Sequence, residues 1–119
     1  MRIGYSALLT VAAGLIVGCN SDPIPDDAKV TATESMVFSP MTVVVKPGGT
    51  VTFVFHDMGH SVIFDPGVSG APADITGTNT NVEIERSFNT AGTFNYQCTL
   101  HPGMVGRVIV TEEGKTVTE

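Results

Sequence analysis

The chain has 119 residues, with six Lys and Arg against twelve Asp and Glu and a formal net charge of −6. This length suits one small domain. The acidic balance argues against nucleic acid as a partner, because phosphate backbones bind basic surfaces. High solubility, or the steering of a basic protein partner, fits the charge better.

The N-terminus has the pattern of an export signal. Residues 1–2 (MR) are a short basic start, and the apolar stretch at residues 7–17 is too short for a good transmembrane helix. Residues 15–19 (LIVGC) resemble the lipobox of bacterial lipoproteins. That resemblance implies cleavage before Cys19 and attachment of lipid to its thiol. An ordinary signal peptide with an incidental Cys, and an N-terminal membrane anchor, are the alternatives.

The chain therefore divides into three predicted parts. Residues 1–18 form a lipoprotein signal peptide, residues 19–29 hold the lipidated Cys19 and a flexible tether, and residues 30–119 form one domain. The tether prediction rests on the polar, acidic and proline-containing stretch 20–29 (NSDPIPDDAK). We expect an exported, lipid-anchored protein whose domain faces the periplasm or the cell exterior.

The sequence predicts different chemistry for the two cysteines. Two Cys in an exported protein first suggest a disulfide. If lipid occupies Cys19, however, Cys98 is left as a lone thiol in an oxidising compartment. A bound metal would protect that thiol.

From residue 30 onward the pattern is that of β-strands. Residues 50–55 (TVTFVF) and 82–88 (VEIERSF) alternate polar with apolar side chains, which places Val82 and Ile84 inward. Seven or eight short strands separated by turn residues predict an all-β sandwich. Most of the core is expected from the six phenylalanines: Phe38, Phe53, Phe55, Phe64, Phe88 and Phe94. The Gly-, Pro- and Thr-rich excursion 65–81 holds either a short strand or a helical turn.

Residues 96–106 (YQCTLHPGMVG) carry the chemistry of the chain. Cys98, His101 and Met104 fall within seven residues, with a Pro-Gly turn before the methionine. Such a loop can direct a thiolate, an imidazole and a thioether to one point, and this set suits copper better than other biological metals. The set lacks a second imidazole.

Two other histidines could supply it. Phe55 belongs to the buried face of its strand, so its neighbour His56 should point to solvent. His60 starts the next strand after a tight turn, at the end of the sandwich where loops gather. We therefore predict His60 as the second imidazole ligand and His56 as a solvated surface side chain.

With His60 in place, the sequence resembles the cupredoxins, the small blue (type 1) copper proteins. Their pattern is an early His after a turn, followed much later by a Cys-x2-His loop that ends in Met. The two-residue spacing before Met104 is similar to that of amicyanins and pseudoazurins and shorter than in plant plastocyanins. The resemblance covers about residues 30–111. It implies a cupredoxin-like Greek-key β-sandwich with one copper per chain.

The resemblance also assigns roles to the ligands. It implies a trigonal plane of His60 Nδ1, Cys98 Sγ and His101 Nδ1, with Met104 Sδ as a long axial ligand. Cupredoxins usually carry Asn directly after the first His, where this chain has Ser61, so the bond that ties the two ligand segments together is lost or rerouted. Residues 58–60 (MGH) resemble the azurin version of the segment, in which the carbonyl of Gly59 could make a weak further contact.

The function implied is one-electron transfer at the outside of the cytoplasmic membrane or in the periplasm, by a monomer that is not an enzyme. Redox protein partners are expected to dock near His101, which in cupredoxins protrudes through a ring of apolar residues. The candidates for that ring are Leu100, Pro102, Gly103 and either Met41 or Met58. The alternative is a copper-binding or copper-delivery lipoprotein without redox shuttling.

Overall fold

The computed structural model describes residues 23–112, and these form two β-sheets around one core. Nine strands make up the sheets: β1 Asp27–Ala32, β2 Phe38–Ser39, β3 Thr42–Val45, β4 Gly49–Phe55, β5 His60–Phe64, β6 Ile75–Asn79, β7 Val82–Phe88, β8 Gly92–Gln97 and β9 Val105–Val110. Within this range no helix is long and apolar enough to cross a membrane. The predicted all-β sandwich is confirmed, with nine strands in place of seven or eight.

The order of strands brings the two candidate ligand segments to the same end of the molecule. One sheet has the order β3-β9-β8-β5-β6 and the other β2-β1-β4-β7. In the first sheet β5 and β8 are antiparallel, with Ile63 opposite Gln97. The start of β5 therefore extends past the end of β8 and lies alongside the loop that leads to β9.

The domain begins earlier than the sequence predicts. Strand β1 starts at Asp27, three residues before the predicted domain boundary, and it pairs in parallel with β4 so that Asp27 lies opposite Thr50. Just before it, the Pro25 carbonyl accepts the Lys46 N–H, and Ile24 is buried. The sequence predicts residues 24–29 as tether, but they belong to the fold. Residues 27–29 pair with β4 through their backbone, which accepts polar side chains, and the carbonyls of Pro25 and Asp26 accept backbone N–H groups of Lys46 and Thr50.

Strand β7 corrects the predicted burial of Val82, whose side chain is 40% exposed. Because β7 is an edge strand, burial on its inner face increases only towards Phe88. Arg86, at an inward position, donates instead to the carbonyls of Ala73 and Asp74. The excursion 65–81 holds a strand, β6, and no helical turn.

All six phenylalanines are buried, as predicted. Phe38, Phe53 and Phe64 each meet the ring of Tyr96 edge-on, with centroids 4.8–5.7 Å apart. Such edge-to-face pairs add to the stabilisation from burial alone. Tyr96 is thus the centre of the core, and burial raises the pKa of its hydroxyl above the usual value. The Tyr96 strand leads directly to Cys98, so core packing supports the candidate site.

Gly106 is opposite Tyr96 on β9 and leaves room for its ring. A Cβ at Gly106 would lie 2.5 Å from both Cζ and Oη of Tyr96. We expect Gly106→Ala to lower the free energy of unfolding by about 1–3 kcal/mol, as overpacking does. Urea unfolding of copper-free protein measures this. In a Tyr96→Leu background the same substitution should cost clearly less, and an equal cost would show that the ring is not the obstacle.

Candidate metal centre

His60 is the first residue of β5 and is fully buried. Its carbonyl accepts a hydrogen bond from Asn79 Nδ2 on the neighbouring β6, at 3.0 Å. Before it, Gly59 packs so closely against Thr78 that a Cβ would overlap the Thr78 methyl group. The edge strand β6 therefore requires a glycine at position 59 and fixes the backbone that presents His60.

The loop between β8 and β9 presents the other candidate ligands. The Cys98 N–H donates to the Met104 carbonyl at 2.9 Å, and the Met104 N–H donates to the His101 carbonyl at 3.1 Å. Gly103 adopts the left-handed conformation, with φ of 87°, which the turn requires and which suits glycine. The predicted Pro-Gly turn is confirmed, and it closes the loop on itself with Met104 buried.

Three donor atoms converge on one point. His60 Nδ1 lies 3.2 Å from His101 Nδ1, and Cys98 Sγ lies 3.8 Å and 3.6 Å from these two nitrogens. The point equidistant from the three atoms is about 2 Å from each, close to the roughly 2.0–2.3 Å at which imidazole nitrogen and thiolate sulfur bind zinc. The atoms thus stand where ligands of one first-row metal ion should stand.

The composition of this triangle selects among metals. Among residues 23–112 no carboxylate joins the cluster of His60, Cys98 and His101. A planar set of two imidazoles and one thiolate is the equatorial set of blue copper sites. The residues present therefore fit copper.

His60 is held in the tautomer that a metal needs. Its Nε2 lies 3.0 Å from the Thr33 carbonyl, which can only accept, so Nε2 carries the proton and Nδ1 offers a lone pair. Burial lowers the pKa of His60, against the opposing effect of that carbonyl. The ring is accordingly neutral at neutral pH and ready to bind a metal.

Ser61 links the two ligand segments through hydrogen bonds. Its hydroxyl accepts the Thr99 N–H at 3.0 Å and lies 3.1 Å from Thr99 Oγ1, while its own N–H donates to Cys98 Sγ at 3.4 Å. The hydroxyl is also 3.8 Å from that sulfur. The bond expected to be lost or rerouted is thus made by a hydroxyl in place of an amide.

Ser61→Ala should lower the free energy of unfolding of the copper-free protein by about 1 kcal/mol, because the Thr99 N–H loses its acceptor. The matched control is Ser87→Ala, since Ser87 is exposed on β7. Urea unfolding of both variants measures the difference. Equal stability of the two variants would mean that the hydroxyl does not tie the segments together.

The other residues singled out in the sequence differ in their exposure to solvent. His56 is exposed and does not belong to the donor cluster, as predicted. His101 is half-buried, and four candidates for the apolar ring are exposed: Met41, Leu100, Pro102 and Gly103. Met58, the other candidate, is half-buried. Cys19 and the signal segment lie outside the described residues.

Two residues that support the ligands are not indicated by any sequence pattern. Thr33, which orients His60, is 27 residues away from it and acts through its backbone carbonyl, so its side chain carries no signal. Thr99 directly follows Cys98 and lies opposite Ser61. Its place inside the ligand loop, beside the unusual Ser61, is the one signal that could have pointed to it.

Comparison with known proteins agrees with this geometry. Residues 26–111 match the family described as copper binding proteins, plastocyanin/azurin family. Amicyanin of Paracoccus versutus is 38% identical over 89 residues, covering 73% of this chain and 67% of that protein. Pseudoazurin of Methylorubrum extorquens is 34% identical over 80 residues, covering 66% of this chain and 54% of that protein.

A solved structure gives the same result. The crystal structure of amicyanin from Paracoccus versutus aligns with a TM-score of 0.58 and 33% identity, covering 75% of this chain and 91% of that one. The predicted resemblance to cupredoxins is confirmed. With its convergent His, Cys and His donors, the site fits electron transfer by copper. The chain therefore belongs to the plastocyanin/azurin family of copper-binding proteins, and its cofactor is one copper ion.

Proposed function

We propose that this chain carries single electrons between protein partners through a mononuclear type 1 copper site. His60 Nδ1, Cys98 Sγ and His101 Nδ1 would hold the copper, with the Met104 thioether as the fourth ligand. The convergence of the three equatorial atoms on one point supports this most directly. Copper bound there supplies one-electron chemistry, because it alternates between Cu(I) and Cu(II).

The protein's own part is to hold the ligands still and to exclude water. His60 and Cys98 are at most 1% exposed. His60 donates a hydrogen bond to the Thr33 carbonyl, and Cys98 Sγ accepts one from the Ser61 N–H. Such outer contacts fix ligand orientation. A site that does not rearrange suits rapid electron exchange. With four protein ligands no position is left open for a substrate, which favours a carrier over an enzyme.

The electron should enter and leave through His101. Its ring is half-buried while its Nδ1 faces the other donors, so the rest of the ring extends towards the surface. Leu100, Pro102 and Gly103 in the ligand loop are exposed, and so is Met41, with exposed fractions of 44% for Leu100 and 55% for Met41. An apolar rim of this kind allows close and short-lived docking, and the acidic remainder of the chain would steer a basic partner.

An absorption spectrum with a redox titration tests the proposal. A soluble form beginning at Asn20, loaded with Cu(II), should show a strong thiolate-to-Cu(II) absorption band at about 600 nm. One equivalent of reductant should bleach the band, and an oxidant should restore it. A colourless protein that holds only Cu(I) would contradict electron transfer and support the alternative role in copper delivery.

The partner can be tested with a surrogate. Electron exchange with a basic cytochrome c should be fast at low ionic strength and slow down as salt screens the attraction. Leu100→Asp, which places charge in the proposed rim, should slow the exchange without moving the reduction potential much. The matched control is Val68→Asp, another exposed apolar residue, which lies in the excursion after β5. Equal rates for both variants would place docking elsewhere.

We also propose that the chain is anchored to a membrane at its N-terminus. Residues 15–19 (LIVGC) support lipid attachment to Cys19, with the copper domain outside the cytoplasmic membrane. Radiolabelled fatty acid should be incorporated into the wild-type protein in a bacterial host and not into Cys19→Ser. Incorporation into both would rule out Cys19 as the lipidation site. Fractionation of the same cells shows whether the wild-type protein partitions with membranes.

A further inference from the structure

The loop between β1 and β2, residues 33–37, contacts the segment that delivers His60 at two points. The Thr33 carbonyl accepts the His60 Nε2–H at 3.0 Å. Next to it, Glu34 Oε2 accepts the backbone N–H of Met58 at 3.1 Å. One contact holds the imidazole and the other holds the turn before it.

The loop is itself firmly held. Thr33 Oγ1 donates to the Val37 carbonyl and accepts the N–H groups of Ser35 and Val37. The backbones of Thr33 and Val37 are bonded as well, and Met36 adopts a left-handed φ of 61° to close the turn. The Glu34 carboxylate therefore extends from a fixed base.

The turn at residues 56–59 is anchored at both ends by other contacts. At one end the Asn81 N–H donates to the His56 carbonyl at 2.8 Å, and at the other Asn79 Nδ2 bonds the His60 carbonyl. The middle of the turn, at Met58, is held by Glu34. Loss of the carboxylate would leave this central N–H without that partner.

The charge of Glu34 also lies close to the donor cluster. Met58 and His60 are two residues apart, so their Cα atoms are at most about 7.6 Å apart. The carboxylate that bonds Met58 thus lies on the order of 10 Å from the site, comparable with the Debye length of about 8 Å at physiological ionic strength. Its field should be weakened by solvent there and still be felt.

We propose that Glu34 is a positioning residue for His60 that also sets the reduction potential of the site. Its bond to Met58 holds the turn in place, and its negative charge favours Cu(II), the more positive oxidation state, over Cu(I). This role rests on the ligation of copper by His60 proposed above. It gives a function to an exposed acidic side chain that makes no direct contact with the donor atoms.

Two substitutions separate the bond from the charge. Glu34→Gln removes the charge and keeps an oxygen that can accept the Met58 N–H, whereas Glu34→Ala removes both. The control is Glu85→Gln, which makes the same change in net charge on β7, opposite Thr52. All variants are made in the full-length protein.

The first measurement is a redox titration of copper-loaded protein. At a fixed ambient potential, the ratio of Cu(II) to Cu(I) protein should be about two- to fivefold lower in both Glu34 variants than in the wild type. An effect of this size is typical of a solvent-screened charge. The Glu34→Gln effect should shrink at about 1 M salt, where the Debye length is about 3 Å. Glu85→Gln should match wild type.

The second measurement is hydrogen exchange of the Met58 amide in copper-free protein, which needs neither metal nor redox partner. Exchange should be about tenfold faster in Glu34→Ala and near the wild-type rate in Glu34→Gln. If both Glu34 variants match Glu85→Gln in ratio and in exchange, the proposal is overturned. If exchange of the Met58 amide becomes faster but the ratio of oxidised to reduced copper does not change, only the proposed role of the charge is overturned. If the ratio changes but the exchange does not, only the proposed role of the hydrogen bond is overturned. Failure of electron transfer itself would show separately, as a wild-type protein without a reversible band.

Discussion

Replacing Cys98 by Ser should abolish the intense thiolate-to-Cu(II) band at about 600 nm, since that band requires a sulfur ligand. Cys98 Sγ stands 3.6 Å and 3.8 Å from the two imidazole nitrogens and receives the Ser61 N–H. A serine hydroxyl is a harder ligand that stays protonated. Because Ser is close to Cys in size, the buried position should still be filled and the fold kept. The absorption spectrum of Cu(II)-loaded protein, with circular dichroism to check folding, measures the result.

Met104→Leu is the matched control for this loss of colour. It removes the proposed axial thioether from the same loop and leaves the three equatorial donors in place, and leucine fills the buried space well. We expect the band to remain, with a changed reduction potential. A band retained in Cys98→Ser, or lost in Met104→Leu, would show that the ligands are assigned incorrectly.

The strands that local alternation predicts correctly are those at the middle of the fold. In β4, Val51, Phe53 and Phe55 share the buried face as the sequence pattern indicates. In β7 the same kind of pattern predicts a buried Val82, which is exposed, because an inward side chain is covered only where the opposite sheet extends over it. Alternation gives the face of a strand, whereas the depth of burial depends on the position of the strand in its sheet.

The first three residues of β1, and strand β6 as a whole, form strands because of distant partners that local patterns do not reveal. Asp27 lies in β1 because it pairs in parallel with Thr50, 23 positions later in the chain. Strand β6 buries little besides Ile75 and is held largely by β5. A polar or Gly-rich segment that becomes a strand in this way has no periodic signal of its own, so its composition suggests a tether or a loop.

The sequence predicts the donor atoms more readily than the backbone groups that orient them. Cys98 and His101 are close in sequence, and the buried face of β4 is enough to reject His56. The atoms that orient these ligands are backbone groups such as the Thr33 carbonyl and the Ser61 N–H. Every residue has such groups, so only the three-dimensional fold reveals which of them act on the site.

His60→Gly should lose the blue band at ordinary copper concentrations and regain it when imidazole is added. The deletion removes one of the three converging donors and opens a space the size of its fully buried ring. Free imidazole can enter that space and replace the missing nitrogen. Loss of a large buried side chain should also lower the free energy of unfolding by about 2–5 kcal/mol. Absorption during an imidazole titration, and urea unfolding without copper, measure the two effects.

His56→Gly is the control that decides between the two histidines. The His56 side chain is exposed, and the bond that its residue makes to Asn81 uses the backbone carbonyl, which the substitution keeps. Its spectrum should match wild type without imidazole, and its stability should change by no more than about 0.5 kcal/mol beyond the small cost of glycine. The reverse pattern, with His56→Gly colourless and His60→Gly blue, would move the ligand to the other end of the turn. It would also remove the reason for Thr33 and Glu34 to hold that turn, so this pair of variants tests the donor site and its support together.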